Sequence, residues 1–161
     1  TNRDVNGYRD DMTLKDMVNQ LGKDSHGNSG RTPAMAAAMY SHLHVVQYLI
    51  EQGEADLNIA NNSYGENALH YAAHNTRVTT TDYELIQFLL PHMTLNSINK
   101  KNVGGFTPLD YAYHFNHSPS HFNHSPIHQE IIALLRLKGG KANRYDENGR
   151  DVGAGNGDLN H

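Results

Sequence analysis

Three stretches decide the fold: Gly30-Arg31-Thr32-Pro33-Ala34-Met35-Ala36-Ala37-Ala38, Gly65-Glu66-Asn67-Ala68-Leu69-His70-Tyr71-Ala72-Ala73, and Gly105-Phe106-Thr107-Pro108-Leu109-Asp110-Tyr111-Ala112-Tyr113. Each is a turn glycine, then a helix-start signal, then small residues. Thr32, Asn67 and Thr107 are good N-cap types, whose side-chain oxygens can accept from free backbone amides, and Pro33 and Pro108 suit the first helical position. The alanines that follow let two helices approach closely.

A second apolar segment follows each: Val45-Val46-Gln47-Tyr48-Leu49-Ile50, Leu85-Ile86-Gln87-Phe88-Leu89-Leu90 and Ile131-Ile132-Ala133-Leu134-Leu135-Arg136. Apolar residues recur there at helical spacing. The first unit stops at Gly53 and returns through Ala55-Asp56-Leu57-Asn58, and the third closes similarly at Gly139 and Ala142-Asn143. Internal self-similarity of this kind is the signature of a solenoid, in which each unit buries its apolar face against the next.

Turn glycine, T-P-x-x-x-A-A, V-V-x-x-L-L-x-x-G and D-x-N together resemble the ankyrin repeat, from about Gly30 to Gly149. The resemblance implies an all-α solenoid of about three helix-turn-helix repeats with connecting β-hairpin loops. The units are degenerate, with T-P-L-H standing as Thr32-Pro33-Ala34-Met35, Asn67-Ala68-Leu69-His70 and Thr107-Pro108-Leu109-Asp110. Thr32 to Val45 spans 13 positions, but Asn67 to Leu85 spans 18 and Thr107 to Ile131 spans 24, so the second and third units carry insertions between their helices. Tyr113 replaces a small alanine, which predicts looser or angled packing in the third unit.

The expected organisation is an N-terminal capping helix region over 1–24, repeats over 25–149 (about 30–64, 65–104 and 105–149, with inserted loops near 76–82 and 116–127), and a polar Gly-rich tail over 150–161. Leu14, Met17, Val18 and Leu21 fall at i, i+3, i+4 and i+7, predicting an amphipathic capping helix of about 10 residues. Asn148-Gly149-Arg150-Asp151 stands where a fourth repeat would begin.

Composition narrows the function. Hydrophobic residues make up 37% of the 161, enough for one continuous core, and 13 basic against 17 acidic residues give a net charge of −4. Phosphate backbones and anionic lipid surfaces attract the opposite balance, so neither nucleic acid nor membrane is the expected partner. No run approaches the ~20 apolar residues that cross a bilayer. The chain begins without Met, so the lack of a leader carries no weight, and a cytoplasmic setting is the expectation, host cytosol included for a secreted effector. Absent cysteine removes disulfides, thiolate metal sites and cysteine nucleophiles.

The resemblance implies a binding module acting through its concave face, and not an enzyme. Carried over by position, the docking residues on the first helices would be Ala36, Met39 and Tyr40, then Tyr71, His74 and Asn75, then Tyr111, His114 and Phe115. Hairpin tips would add Asn62, Tyr64, Lys100, Lys101 and Tyr145. Aromatic side chains are enriched in binding hot spots, but the same rings can pack between repeats instead. One protein partner is expected, with the chain a monomer or self-associating through a terminal repeat. The Asn- and His-rich repeats resemble those of small bacterial ankyrin proteins, which makes inhibitor, immunity protein and effector the expected roles. His70 would serve structure, and Asn58, Asn99 and Asn143 would serve hairpin hydrogen bonding or, in animal cells, asparaginyl hydroxylation.

The competing chemistry lies in the duplicated heptads from His114 to Ser120 and from His121 to Ile127. Histidines 114, 117, 121, 124 and 128 would line one face of a continuous helix and could bind zinc or nickel, with His117, His121 and His124 the candidate ligands for a metal-dependent enzyme. Pro119 and Pro126 break such a helix, so a solvated loop is the expected form and no metal or other cofactor is expected. Gly139-Gly140-Lys141 lacks the Ser or Thr of a phosphate loop, and the 146–151 stretch lacks the ligand order of a calcium loop.

Overall fold

A computed structural model describes residues 11–23, 30–74, 79–116 and 125–153, with the side chains of 115 and 116 outside that set. Eight α-helices are described: α1 (Leu14–Asn19), α2 (Pro33–Met39), α3 (Leu43–Glu51), α4 (Ala68–Ala73), α5 (Thr80–Leu89), α6 (Leu95–Ile98), α7 (Pro108–Asn116) and α8 (Pro126–Leu137), with a 3-10 turn, Leu90–His92, prolonging α5. They form two rows. α2, α4 and α7 pack side by side as the first row; α3, α5 and α8 pack against them as the second. This is the all-α solenoid that the paired segments imply.

The first row can close up because its contact residues are small. Ala34, Ala37, Ala38, Ala68, Ala72 and Ala112 are buried between helices, while Val46, Leu69, Leu85, Ile86, Leu89, Ile131 and Leu135 fill the space between rows. Each large side chain so buried contributes roughly 1.5–3 kcal/mol. The core is one continuous cluster from Ala34 to Tyr145, as stacked units require.

Every first helix starts with the same reciprocal cap. Thr32 Oγ1, Asn67 Oδ1 and Thr107 Oγ1 accept the amides of Met35, His70 and Asp110 at 3.2, 3.3 and 3.2 Å. The backbone amides of the caps are in turn accepted by Met35 Sδ, His70 Nδ1 and Asp110 Oδ2, at 3.4, 3.2 and 2.8 Å. Three unlike residues thus close one box.

Asparagines then staple unit to unit. Asn19 Oδ1 accepts from the Asp56 amide at 2.7 Å, Asn58 Oδ1 from Thr94 at 2.9 Å and Asn99 Oδ1 from Lys141 at 2.6 Å. Asn143 does something different, donating from Nδ2 to the Gly105 carbonyl at 2.8 Å.

Between units the chain turns without pairing as strands. Among the described residues there is no β-strand, and Tyr145 and Asp151 pair in an isolated antiparallel bridge. Side-chain capping replaces the hairpin ladder: Asn61, Asn102 and Asp146 each bend an Oδ1 onto two amides a few residues on, with the turn glycines Gly65, Gly105 and Gly149 at φ of 70°, 80° and 72°.

Several details differ from the sequence expectation. α1 has 6 residues, and of its apolar stripe only Val18 is buried, against Gly53; Leu14 and Met17 stay exposed. Thr80 to Asp82, expected in an inserted loop, form the first turn of α5, and Asn116, Pro126 and Ile127 belong to α7 and α8. The polar reason for α5 is visible: Asp82 caps Thr79, at 2.6 Å from its amide and 2.8 Å from its hydroxyl, and also takes the Ser41 hydroxyl from the turn of the preceding unit. Tyr113 is not loosely packed; it is buried and stacked on Tyr145, ring centres 6.0 Å apart.

Candidate binding face

The first-row helices and the turns between units present a continuous strip of rings and charges. At one end the Arg31 guanidinium lies over the Tyr71 ring, 5.0 Å from its centre. At the other, the Arg144 guanidinium lies 4.7 Å from the centre of Phe106. Between them Tyr111 stacks on Phe106 at 5.7 Å and meets His74 edge-on at 5.2 Å. Tyr145 continues the strip, with its hydroxyl 2.7 Å from His114 Nδ1.

Local sequence explains the placement. Tyr71 and Tyr111 stand four residues after the caps Asn67 and Thr107, and so project over the turn beside their own helix. There Asn61 Nδ2 donates to the Tyr71 hydroxyl and Asn102 Nδ2 to the Tyr111 hydroxyl, both at 2.8 Å. Glu66, just before the cap Asn67, accepts from Tyr111 in a short hydrogen bond and from Asn102 at 3.1 Å, which couples the second unit to the third.

The electrostatics follow from burial. Burial pushes the Tyr111 phenol well above its ordinary range, helped by the Glu66 carboxylate, so it remains a donor. Burial raises Tyr71 and Tyr145 too, with the Arg31 guanidinium pulling Tyr71 back. Desolvation holds the His74 imidazole below its usual value, against the Glu66 carboxylate and in concert with His114. His70 beneath is buried and lowered by desolvation, with Nε2 donating to the Phe106 carbonyl at 3.1 Å.

The positions expected to dock divide into groups. Tyr40, Asn62, Tyr64, His74, Lys100, Lys101 and His114 are exposed, and Tyr111 is half-buried. Ala36 and Met39 are half-buried. The expectation of exposure is corrected for Tyr71 and Tyr145, only 7% and 9% accessible, because one lies under Arg31 and the other between Tyr113 and His114. Asn75 and the candidate metal ligands His117, His121 and His124 fall outside the described residues, as does the side chain of Phe115. His128 is buried. Among the described residues no three His, Cys, Asp or Glu side chains are grouped to hold a metal.

Sequence reasoning missed Arg31, Glu66, Phe106 and Arg144. The first three share one register, immediately before the caps, and that recurrence was the available signal; the ring under each arginine is a contact between residues distant in sequence, which spacing alone does not reveal.

No helix among the described residues is long and apolar enough to cross a membrane. The family model for ankyrin repeats, in three copies, matches residues 8–83, so α1 falls inside the match. In fold the chain is similar to the crystal structure of the ankyrin repeat protein EF0377, with a TM-score of 0.55 and 23% identity over 81% of this chain. This chain spans 60% of that one's length. No curated protein sequence matches it. Ankyrin repeats are in general protein–protein interaction modules, typically without catalysis. With its reciprocal caps and two-row helical stack, the chain has the ankyrin-repeat fold, and its residues 8–83 match the family's model.

Proposed function

We propose that the chain binds one protein partner along the strip from Arg31 to Tyr145, by surface contact and not by catalysis. The observation that carries this reading is the alignment of Arg31, Glu66, His74, Tyr111, Phe106, Arg144 and His114 on one face across all three units. A face of half-buried rings bearing charged groups supplies apolar area at small entropic loss, together with polar groups that fix the guest's register. Arg144 is loosely held, 3.5 Å from the Gly104 carbonyl and 4.0 Å from Asp151, which leaves donors for an acidic or carbonyl group of the guest. Exposed Tyr40 and Tyr64 extend the apolar area at the first-helix end and the turn tip.

The test selects ligands from a displayed library of protein fragments and measures their affinity for the wild type and for variants. His74→Ala, Tyr64→Ala and Arg144→Ala leave the core untouched, and each is expected to weaken binding at least about tenfold if it is a hot spot. Val45→Ala and Tyr48→Ala, at exposed positions of second-row helix α3, are the controls. Ligands that lose affinity only with the α3 controls would overturn the assignment.

A further inference from the structure

The ends of the second-row helices carry a charge inversion along the stack. Where α3 runs into its turn stand Glu51, Glu54 and Asp56, all exposed. At the equivalent place after α8 stand Arg136, Lys138 and Lys141, also exposed. The bond from the Lys141 amide to Asn99 Oδ1, and that from Asn99 Nδ2 to the Gly139 carbonyl at 3.0 Å, lay exposed Lys100 and Lys101 alongside them. Among the described residues none of these five cations makes an ion pair, and on the acidic side Glu54 has one, with Lys15 at 2.9 Å. The middle unit has no Asp, Glu, Lys or Arg at this edge from Pro91 to Asn96, and it exposes Leu95, 59% accessible, while Leu137, 79% accessible, ends α8 two residues before Gly139. Leu95 lies over Gly139, so close that a Cβ there would sit 2.8 Å from Leu95 Cδ1.

We propose that this edge binds a second copy of the chain, antiparallel, about a two-fold axis near Leu95. Such an arrangement sets the acidic edge of each copy against the basic edge of the other, twice, with the leucines meeting in the middle. An apolar centre inside a charged rim is the ordinary anatomy of an interface, and a self-complementary patch is what a two-fold contact requires. The alternative occupant, an acidic segment of another protein on the basic edge, would leave the acidic edge of Glu51, Glu54 and Asp56 uncovered. The interface is separate from the Arg31 to Tyr145 strip and does not rest on the reading of that face.

The mass of the 161-residue chain in solution, from light scattering and sedimentation, is the test, run at low and high salt. Two copies are expected at low salt, with affinity falling roughly tenfold or more as screening shortens to about 3 Å at 1 M. The pair Glu51→Lys with Glu54→Lys makes both edges basic, and Lys138→Glu with Lys141→Glu sets carboxylates at two of the five basic positions, against the acidic edge of the other copy. Each double variant alone should be monomeric with an unchanged circular dichroism spectrum, and an equimolar mixture should form a one-to-one dimer. A monomeric wild type at every concentration and salt overturns the proposal. So does association that grows past two copies, or a wild-type dimer that either double variant keeps.

Discussion

Restoring the family's own histidine at position 110 should destabilise this protein. Asp110 is fully buried, and besides the Thr107 amide its carboxylate accepts the amides of Asn143 at 2.9 Å, Arg144 at 2.8 Å and Tyr145 at 3.2 Å. In Asp110→His, Nδ1 could still take the Thr107 amide, as His70 takes that of Asn67, but Nε2 would then carry hydrogen and face three donors. The other tautomer turns Nε2 into an acceptor and loses the cap. A buried donor left unpaired costs about 1–3 kcal/mol. Arg144 is half-buried and can turn to water, so Asn143 and Tyr145 set the scale, about 2–6 kcal/mol in total. Domains of this kind hold about 5–15 kcal/mol, so the loss is a large share. At about 2–4 °C per kcal/mol, the thermal midpoint should fall by roughly 5–20 °C. Urea unfolding followed by circular dichroism gives the free energy directly, and Asp110→Ala separates loss of the acceptor from the bulk of the ring. An Asp110→His variant as stable as the wild type would refute the account, and one destabilised while Asp110→Ala is not would assign the effect to steric fit.

Three further outcomes are expected. Tyr111→Phe strips a donor from Glu66 and an acceptor from Asn102 and should lose about 1–2 kcal/mol in urea unfolding, whereas Tyr64→Phe, at an exposed ring, should change nothing measurable. His70 is held neutral in the fold, below its ordinary value; its contribution is therefore complete above the unfolded value near 6.5 and is lost as pH falls through the folded value, so the urea midpoint should decline on acidification below about 6.5 and decline less in His70→Gln. Gly53→Ala places a Cβ 2.8 Å from the Leu49 carbonyl oxygen and 2.9 Å from Val18 Cγ2, and should cost about 1–3 kcal/mol by prising α1 from the stack, seen as faster proteolysis ahead of Gly30.

The fold was legible where local chemistry and periodicity agree. Cap, proline and alanine at Thr32-Pro33-Ala34 report a helix start and a close helix contact in three residues, and the leucines and isoleucines of α5 and α8 report the second row. Legibility failed where a partner distant in sequence decides the outcome. The stripe at Leu14, Met17, Val18 and Leu21 has helical spacing, but only Val18 is buried, over Gly53, and Leu21 packs half-buried against the core past the end of α1, while Leu14 and Met17 stay in solvent. Tyr71, Tyr111 and Tyr145 read alike as binding rings, yet Arg31 covers the first, Glu66 and Asn102 fix the second half-open, and Tyr113 and His114 enclose the third. Nothing within a unit distinguishes the three.

The variable fourth position of the helix-start motif shows how such degeneracy is tolerated. Met35, His70 and Asp110 share one duty, accepting the amide of the cap, and a thioether, an imidazole and a carboxylate can each perform it. Their second duty depends on what the following unit presents. Before the third unit that group is the Phe106 carbonyl, which needs a donor, and the neutral His70 ring has one on Nε2. After the third unit it is the run of amides from Asn143 to Tyr145, which needs acceptors, and only a carboxylate meets the cap amide and all three together. The departure of Asp110 from the family pattern is thus a compensation for the backbone that follows, so exchanging residues 70 and 110 should harm both sites, with His70→Asp bringing a carboxylate against the Phe106 carbonyl oxygen.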